Sequence, residues 1–200
     1  MVLTSMSSKN VWRAKMLDCR SELGPDKTSE MNRAICKNLS FVWAEVKSPT
    51  RPMWAGYKSF RWEADPELAI LESHKYIDWA YPRVLDDSTV EFYKPAEQDA
   101  MWLKNHWGIW EPDPRTSEKI VLSDCVGALI PAVAFDRQGH RLGYGKGFYD
   151  KALAEFKGLK VGVALSVQVI EELLPSEEHD ICMDLIVTDQ EIIKMPSLRH

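Results

Sequence analysis

The ten residues RLGYGKGFYD, positions 141–150, bring together three glycines, two cations, three aromatic rings and a carboxylate. Gly143, Gly145 and Gly147 let the backbone approach a ligand and take positive φ, so that successive N–H groups can converge on an anion. A helix expected from Gly147 to Phe156 would add the positive end of its dipole. Arg141 and Lys146 can neutralise phosphate oxygens, each charge-assisted hydrogen bond being worth about 1.5–3 kcal/mol. Phe148 and Tyr149, in the first helical turn, can give one ring to the core and the other to a planar ligand. The glycines alone would equally serve a tight strand-to-helix turn, and their GxGxG spacing is neither a Walker loop nor a complete dinucleotide fingerprint. Asp150 needs a further explanation, because a carboxylate beside phosphates repels them unless a cation lies between. Mg²⁺, which prefers carboxylate, water and phosphate oxygens, resolves that conflict.

The preceding residues, PAVAFDRQGH, extend the pattern. Together, residues 131–150 resemble the signature of the 5-formyltetrahydrofolate cyclo-ligase family, also called methenyltetrahydrofolate synthetases. That signature runs approximately P-x-x-A/G-F-D-x-x-G-x-R-L-G-x-G-x-G-Y-Y-D. Pro131, Phe135, Asp136, Gly139 and Arg141 match it, and Phe148 replaces one tyrosine. Lys9, Arg13, Glu63, Tyr81-Pro82-Arg83, the segment from Gly108 to Pro112, Gln168 and Asp180 follow as outlying landmarks, so the resemblance spans nearly the whole chain.

The resemblance implies an enzyme that uses ATP and Mg²⁺ to convert 5-formyltetrahydrofolate to 5,10-methenyltetrahydrofolate, releasing ADP and phosphate. It assigns ATP contacts to Lys9 and Arg13 and to the run Arg141, Leu142, Gly143, Tyr144, Gly145, Lys146, Gly147, Phe148 and Tyr149. Arg141 and Lys146 become the catalytic cations, and Asp150 and Asp180 hold the metal. Folate contacts fall to Arg13, Lys58, Glu63, Tyr144 and Phe148, with Glu63 suited to bidentate acceptance from the pterin ring N–H and amino groups. Trp107 and Trp110 can line the same pocket. Without the resemblance, Lys9 and Arg13 read as a solvated helix face, Glu63 as an exposed loop carboxylate and His179-Asp180 as a loop. The competing classes are another ATP- or sugar-phosphate-binding α/β enzyme and a non-catalytic folate- or nucleotide-binding module.

Strands and helices must position these groups. Val11, Trp12, Met16 and Cys19 recur at helical spacing in a helix from Ser8 to about Leu23, with Lys9, Arg13 and Arg20 on other faces and Gly24-Pro25 as its stop. A second helix is expected from near Lys27, capped by Thr28 or Ser29, with Met31, Ile35 and Leu39 towards the core. Strands are expected at MWAGY, at KYIDWAYPRV up to Pro82, and at STVEFY, with a helix from about Pro66. Lys94 to Glu118, containing Pro95, Pro112 and Pro114, reads as mostly loop. Buried strands follow around Val126–Ile130 and at LKVGVAL, and DLIVTD and EIIKM read as two more strands that form a hairpin. Alternating helices and continuously apolar strands predict an α/β fold, a three-layer αβα sandwich around a mostly parallel, mixed sheet.

At 200 residues and 45% hydrophobic composition, the chain suits a single domain, residues 1–200. A net charge of −5 argues against a general nucleic-acid or anionic-membrane binder, leaving the basic character local. Cys19, Cys36, Cys125 and Cys182 form no CxxC pair, and the N-terminus has no apolar signal core, which favours a cytoplasmic protein with reduced thiols. The histidines show no zinc-binding spacing. The expected state is a monomer.

Overall fold

The computed structural model describes residues 3–46, 50–86, 89–96, 100–177 and 180–196, with side chains from residue 9 onward. Ser88, the first residue of the expected third strand, and His179 lie outside them. The chain opens with helices α1 (Leu3–Ser21) and α2 (Gly24–Glu45), then strand β1 (Met53–Ala55), α3 (Glu67–Ser73), β2 (Asp78–Val84) and β3 (Val90–Pro95). Next come β4 (Trp102–Lys104), β5 (Trp110–Pro112), β6 (Ser117–Ile120), β7 (Gly127–Pro131), β8 (Ala134–Asp136) and β9 (Arg141–Leu142). The last part holds α4 (Phe148–Leu153), β10 (Leu159–Val163), β11 (Val169–Ile170), β12 (Leu185–Val187) and β13 (Ile192–Lys194).

Eight strands form the main sheet in the order β13-β12-β10-β7-β1-β2-β3-β6. The pairs from β12 through β2 are parallel, and antiparallel β13, β3 and β6 complete the two sides. Successive strand residues point to opposite faces, which divides the core in two. Trp54, Trp79, Leu129, Val161 and Val187 meet the α2 stripe of Met31, Ile35, Leu39 and Val42 and α3 on one face. Ala55, Ala80, Ile130 and Ile186 meet Leu153 and Phe156, from α4 and the turn after it, on the other. The expected αβα layering is present. A second sheet, β11-β8-β9, receives α1 through Met16, Val133, Leu142 and Ile170.

Several local expectations are corrected. Helix α1 ends at Ser21, and Gly24-Pro25 opens α2 instead of stopping α1. Proline suits that position because the first helical N–H groups have no partner inside the helix. Thr28 and Ser29 are therefore interior, with Thr28 Oγ1 donating back to the Gly24 carbonyl at 2.8 Å. The buried stripe of α1 is also rotated: Val11 is exposed, while Met16 and Arg20 are fully covered. Strand β2 continues through Pro82, since β1 pairs only with Asp78–Ala80 and makes no demand on the missing N–H. The expected loop from Lys94 to Glu118 contains an antiparallel β4–β5 hairpin and the start of β6. Asn105 organises its turn by accepting from the Trp107 and Ile109 N–H groups, both at 3.0 Å. Helix α4 stops at Leu153, short of Phe156.

Gly127 marks the tightest point between β7 and β1. A Cβ there would lie 2.4 Å from the Trp54 ring, which Trp43 packs edge-on at 4.9 Å between centroids. Gly127→Ala is expected to destabilise the fold by about 1–3 kcal/mol through overpacking. Urea denaturation of the two proteins checks this, and an unchanged midpoint would show that the tryptophan cluster yields without cost.

Candidate active site

The C-terminal ends of the parallel strands open into one cavity of about 330 Å³, the usual location for a ligand in an α/β sheet. The turn after β1 contributes Tyr57, Phe60, Arg61 and Glu63; β2 contributes Pro82, and β7 leads in Pro131 and Ala132. Lys9 and Arg13 come from α1, Trp107, Trp110 and Glu111 from the β4–β5 hairpin, and the glycine-rich turn and Asp150 form the remaining wall with Asp180. Every residue expected at a site thus lines this cavity.

The glycines act in different ways. Gly145 and Gly147 have φ of +94° and +70°, and Gly147 precedes α4 in the left-handed region. Gly143 does not need positive φ; a Cβ there would lie 2.8 Å from the Arg141 guanidinium. The smallness of Gly143 is therefore a consequence of how closely Arg141 folds over it. Arg13 Nε donates to the Gly143 carbonyl at 2.8 Å, tying α1 to the turn. With α4 only six residues long, the side-chain cations dominate the positive character of this wall.

The cations and carboxylates are paired. Arg141 Nη2 donates to Asp150 Oδ1 at 2.9 Å, and Lys9 Nζ meets Asp180 Oδ2 at 2.8 Å and Glu177 Oε1 at 3.1 Å. Burial pulls the Lys9 pKa down, but hydrogen bonds to Asp180 and Glu177 outweigh it and hold its ammonium above the usual range. Arg141 Nε, buried, has no hydrogen-bond partner among the described residues. Such a donor is suited to an incoming oxyanion. Lys146 is exposed on the turn.

Glu63 is 7% exposed, contrary to the loop carboxylate its sequence context suggests. The Phe60 N–H donates to its Oε2 at 2.9 Å. Burial pushes its carboxyl up to about 7, against the opposing pull of that N–H and of the Arg20 and Arg141 charges. Lys58 lines the cavity but is held by the Glu67 carboxylate at 2.6 and 2.7 Å, with its ammonium 4.5 Å from the Trp102 ring centroid. Tyr149 packs against the core and also borders the cavity, while Phe148 meets Trp107 edge-on at 6.1 Å between centroids.

Arg20 was not singled out by the sequence. It is fully buried, donating from Nη2 to the Tyr144 hydroxyl at 2.9 Å and from Nη1 to the Ala132 carbonyl at 3.3 Å. Its separation from Lys9 and Arg13 by eleven and seven residues places all three on one helical stripe, a signal masked by reading Val11 as apolar core. Gln168 supports the same turn, giving Nε2 to the Ala132 carbonyl at 2.8 Å. Among the described residues no group of three or more His, Cys, Asp or Glu side chains could hold a metal, and no helix is long and apolar enough to cross a membrane. The four cysteines are free.

A model of the 5-formyltetrahydrofolate cyclo-ligase family matches residues 5–189. The 5-formyltetrahydrofolate cyclo-ligase of Escherichia coli K12 is 37% identical, covering 86% of this chain and 96% of the relative. The probable 5-formyltetrahydrofolate cyclo-ligase of Schizosaccharomyces pombe is 27% identical over 93% and 97%. The solved 5,10-methenyltetrahydrofolate synthetase of Aquifex aeolicus superimposes with a TM-score of 0.78 at 31% identity, covering 96% of both chains.

Proposed function

Because the chain belongs to the 5-formyltetrahydrofolate cyclo-ligase family, we propose that its cavity takes ATP, Mg²⁺ and 5-formyltetrahydrofolate and forms 5,10-methenyltetrahydrofolate, ADP and phosphate. What carries this reading is one cavity lined both by the cations Lys9, Arg13, Arg141 and Lys146 and by a buried carboxylate, Glu63. The first set suits a polyphosphate; the second suits a heterocycle with adjacent N–H donors. Asp150 and Asp180, which line the same cavity and pair with Arg141 and Lys9, would hold Mg²⁺ together with substrate phosphates, as suits a metal that takes one or two carboxylates and not a site made wholly of protein ligands.

The difficulty of the reaction is the N5-formyl amide, a poor electrophile. Phosphoryl transfer from MgATP makes the formyl oxygen a leaving group; N10 then attacks the formyl carbon, the ring closes and that oxygen departs as phosphate. The residues here bind, align and stabilise charge, which is most of what phosphoryl transfer requires of a protein. Arg141 and Lys146 hold the transferring oxygens, with the backbone N–H groups of the turn. Lys9 and Arg13 close the phosphate end, Arg13 also facing the folate. Glu63 fixes the pterin, and Tyr144 and Phe148 border it. Lys58 reaches the folate only by leaving Glu67. No Cys or His lines the cavity among the described residues, in keeping with a reaction that needs no protein nucleophile.

The reading includes a single domain, a monomer and a cytoplasmic setting. Purified protein given MgATP and 5-formyltetrahydrofolate is expected to develop the methenyl absorbance, one ADP accompanying each product. Absence of ATP-dependent product from folded protein would overturn the proposal.

A further inference from the structure

Arg20 carries a permanent charge into the interior, and its hydrogen-bond partners among the described residues are neutral oxygens. Its Nε, also buried, has no partner among those residues. A guanidinium held this way bears a large desolvation penalty, and an apolar side chain of similar volume would hold α1 in place without it. Its surroundings lead into the cavity. Ala132 and Tyr144 both line it. The Tyr144 ring meets Phe60 edge-on at 5.9 Å, and the Phe60 N–H is the donor to Glu63 Oε2. A continuous series of contacts therefore runs from guanidinium to phenol to Phe60 to Glu63.

The charge reaches the same endpoint through space. Arg20 and Arg141 are the cations that favour ionisation of Glu63, against its burial. Tyr57, Tyr144 and Tyr149 are the other titratable groups coupled to it, all protonated at neutral pH because burial and the Glu63 charge push them up. Arg141 already pairs with Asp150 at 2.9 Å. Arg20 has no such carboxylate partner among the described residues.

We infer that Arg20 is a positioning residue for folate recognition: through Tyr144 it fixes the Phe60–Glu63 turn, and it gives the buried Glu63 carboxylate a permanent positive neighbour. This rests on the assignment of Glu63 to the pterin. Arg20 touches neither substrate nor reacting atoms, so its effect belongs in folate binding more than in the chemical step.

Three variants separate the contributions. Arg20→Gln removes the charge, Arg20→Lys keeps it but loses the planar fork, and Tyr144→Phe removes only the hydroxyl. In ligand-free protein, carboxyl NMR should follow Glu63 titrating at about 7 in the native chain. Arg20→Gln should move that midpoint up by roughly one unit, while Arg20→Lys restores most of it. In turnover, Arg20→Gln should raise the KM for 5-formyltetrahydrofolate about ten-fold, with smaller changes in kcat and in the KM for ATP. Tyr144→Phe should reproduce part of the KM rise, and the double variant should be no worse than Arg20→Gln alone. An unmoved Glu63 midpoint in folded Arg20→Gln overturns the inference, as does additivity of the two substitutions. If Arg20→Gln does not fold, a native folate KM in Tyr144→Phe overturns it. The titration needs no substrate, so an inactive native protein would defeat the proposed function while the midpoint still decides whether Arg20 controls Glu63.

Discussion

Arg141→Ala is expected to lower kcat about a thousand-fold, the scale seen when a cation or oxyanion donor is removed from a preorganised site. The side chain is 6% exposed, so its charge acts with little screening by water. Its Nη2 orients Asp150, its guanidinium covers Gly143, and its buried Nε has no acceptor among the described residues. Alanine removes all three features. Arg141→Lys should recover only part of the rate, because an ammonium cannot reproduce the fork. Single-turnover kinetics, with a thermal melt to establish folding, makes the measurement. A loss of less than ten-fold in folded protein would place Arg141 outside the transition-state contacts.

Glu63→Gln is expected to lower kcat/KM about a hundred-fold, since one amide oxygen and an NH₂ group replace two acceptor oxygens facing donors. The pH dependence distinguishes this from simple disruption. With the carboxyl held up to about 7, the competent ionised form grows as pH rises through that value. Native kcat/KM should therefore climb on an acid limb centred near 7, and Glu63→Gln should lack that limb. Stability runs the other way. The folded pKa lies above the reference value of 4.5, so the native state holds the proton more tightly than the unfolded chain. Its contribution is fully present below 4.5 and is lost as pH rises through about 7. Glu63→Gln should consequently melt higher than the native chain at pH 8 while turning over more slowly. A parallel fall in both quantities would make Glu63 an ordinary structural carboxylate.

The sheet could be read from the sequence because its strands are short, apolar and separated by clear breaks, and α2 because Met31, Ile35 and Leu39 keep one stripe. The β4–β5 hairpin could not, since its residues Trp102–Lys104 and Trp110–Pro112 lack a continuous apolar pattern and depend on Asn105 to shape the turn. Arg20 was hidden for a related reason: a cation in an amphipathic helix is expected in water, and nothing local announces that Tyr144 and Ala132 will cover it. The convergence of Lys9, Arg13, Glu63 and Asp180 on the glycine-rich turn spans most of the chain. Residue types suggested each role, and the resemblance to a family joined them, but their pairing into Lys9–Asp180 and Arg141–Asp150 belongs to the tertiary structure.

Trp43, Trp54 and Trp79 are locked together in the core, whereas Trp107 and Trp110 border the cavity. The chain thereby carries two separate sets of optical reporters. Emission from the enclosed trio will follow unfolding, and quenching of the cavity pair will follow occupancy, allowing ligand titrations and melts to be recorded on unlabelled protein.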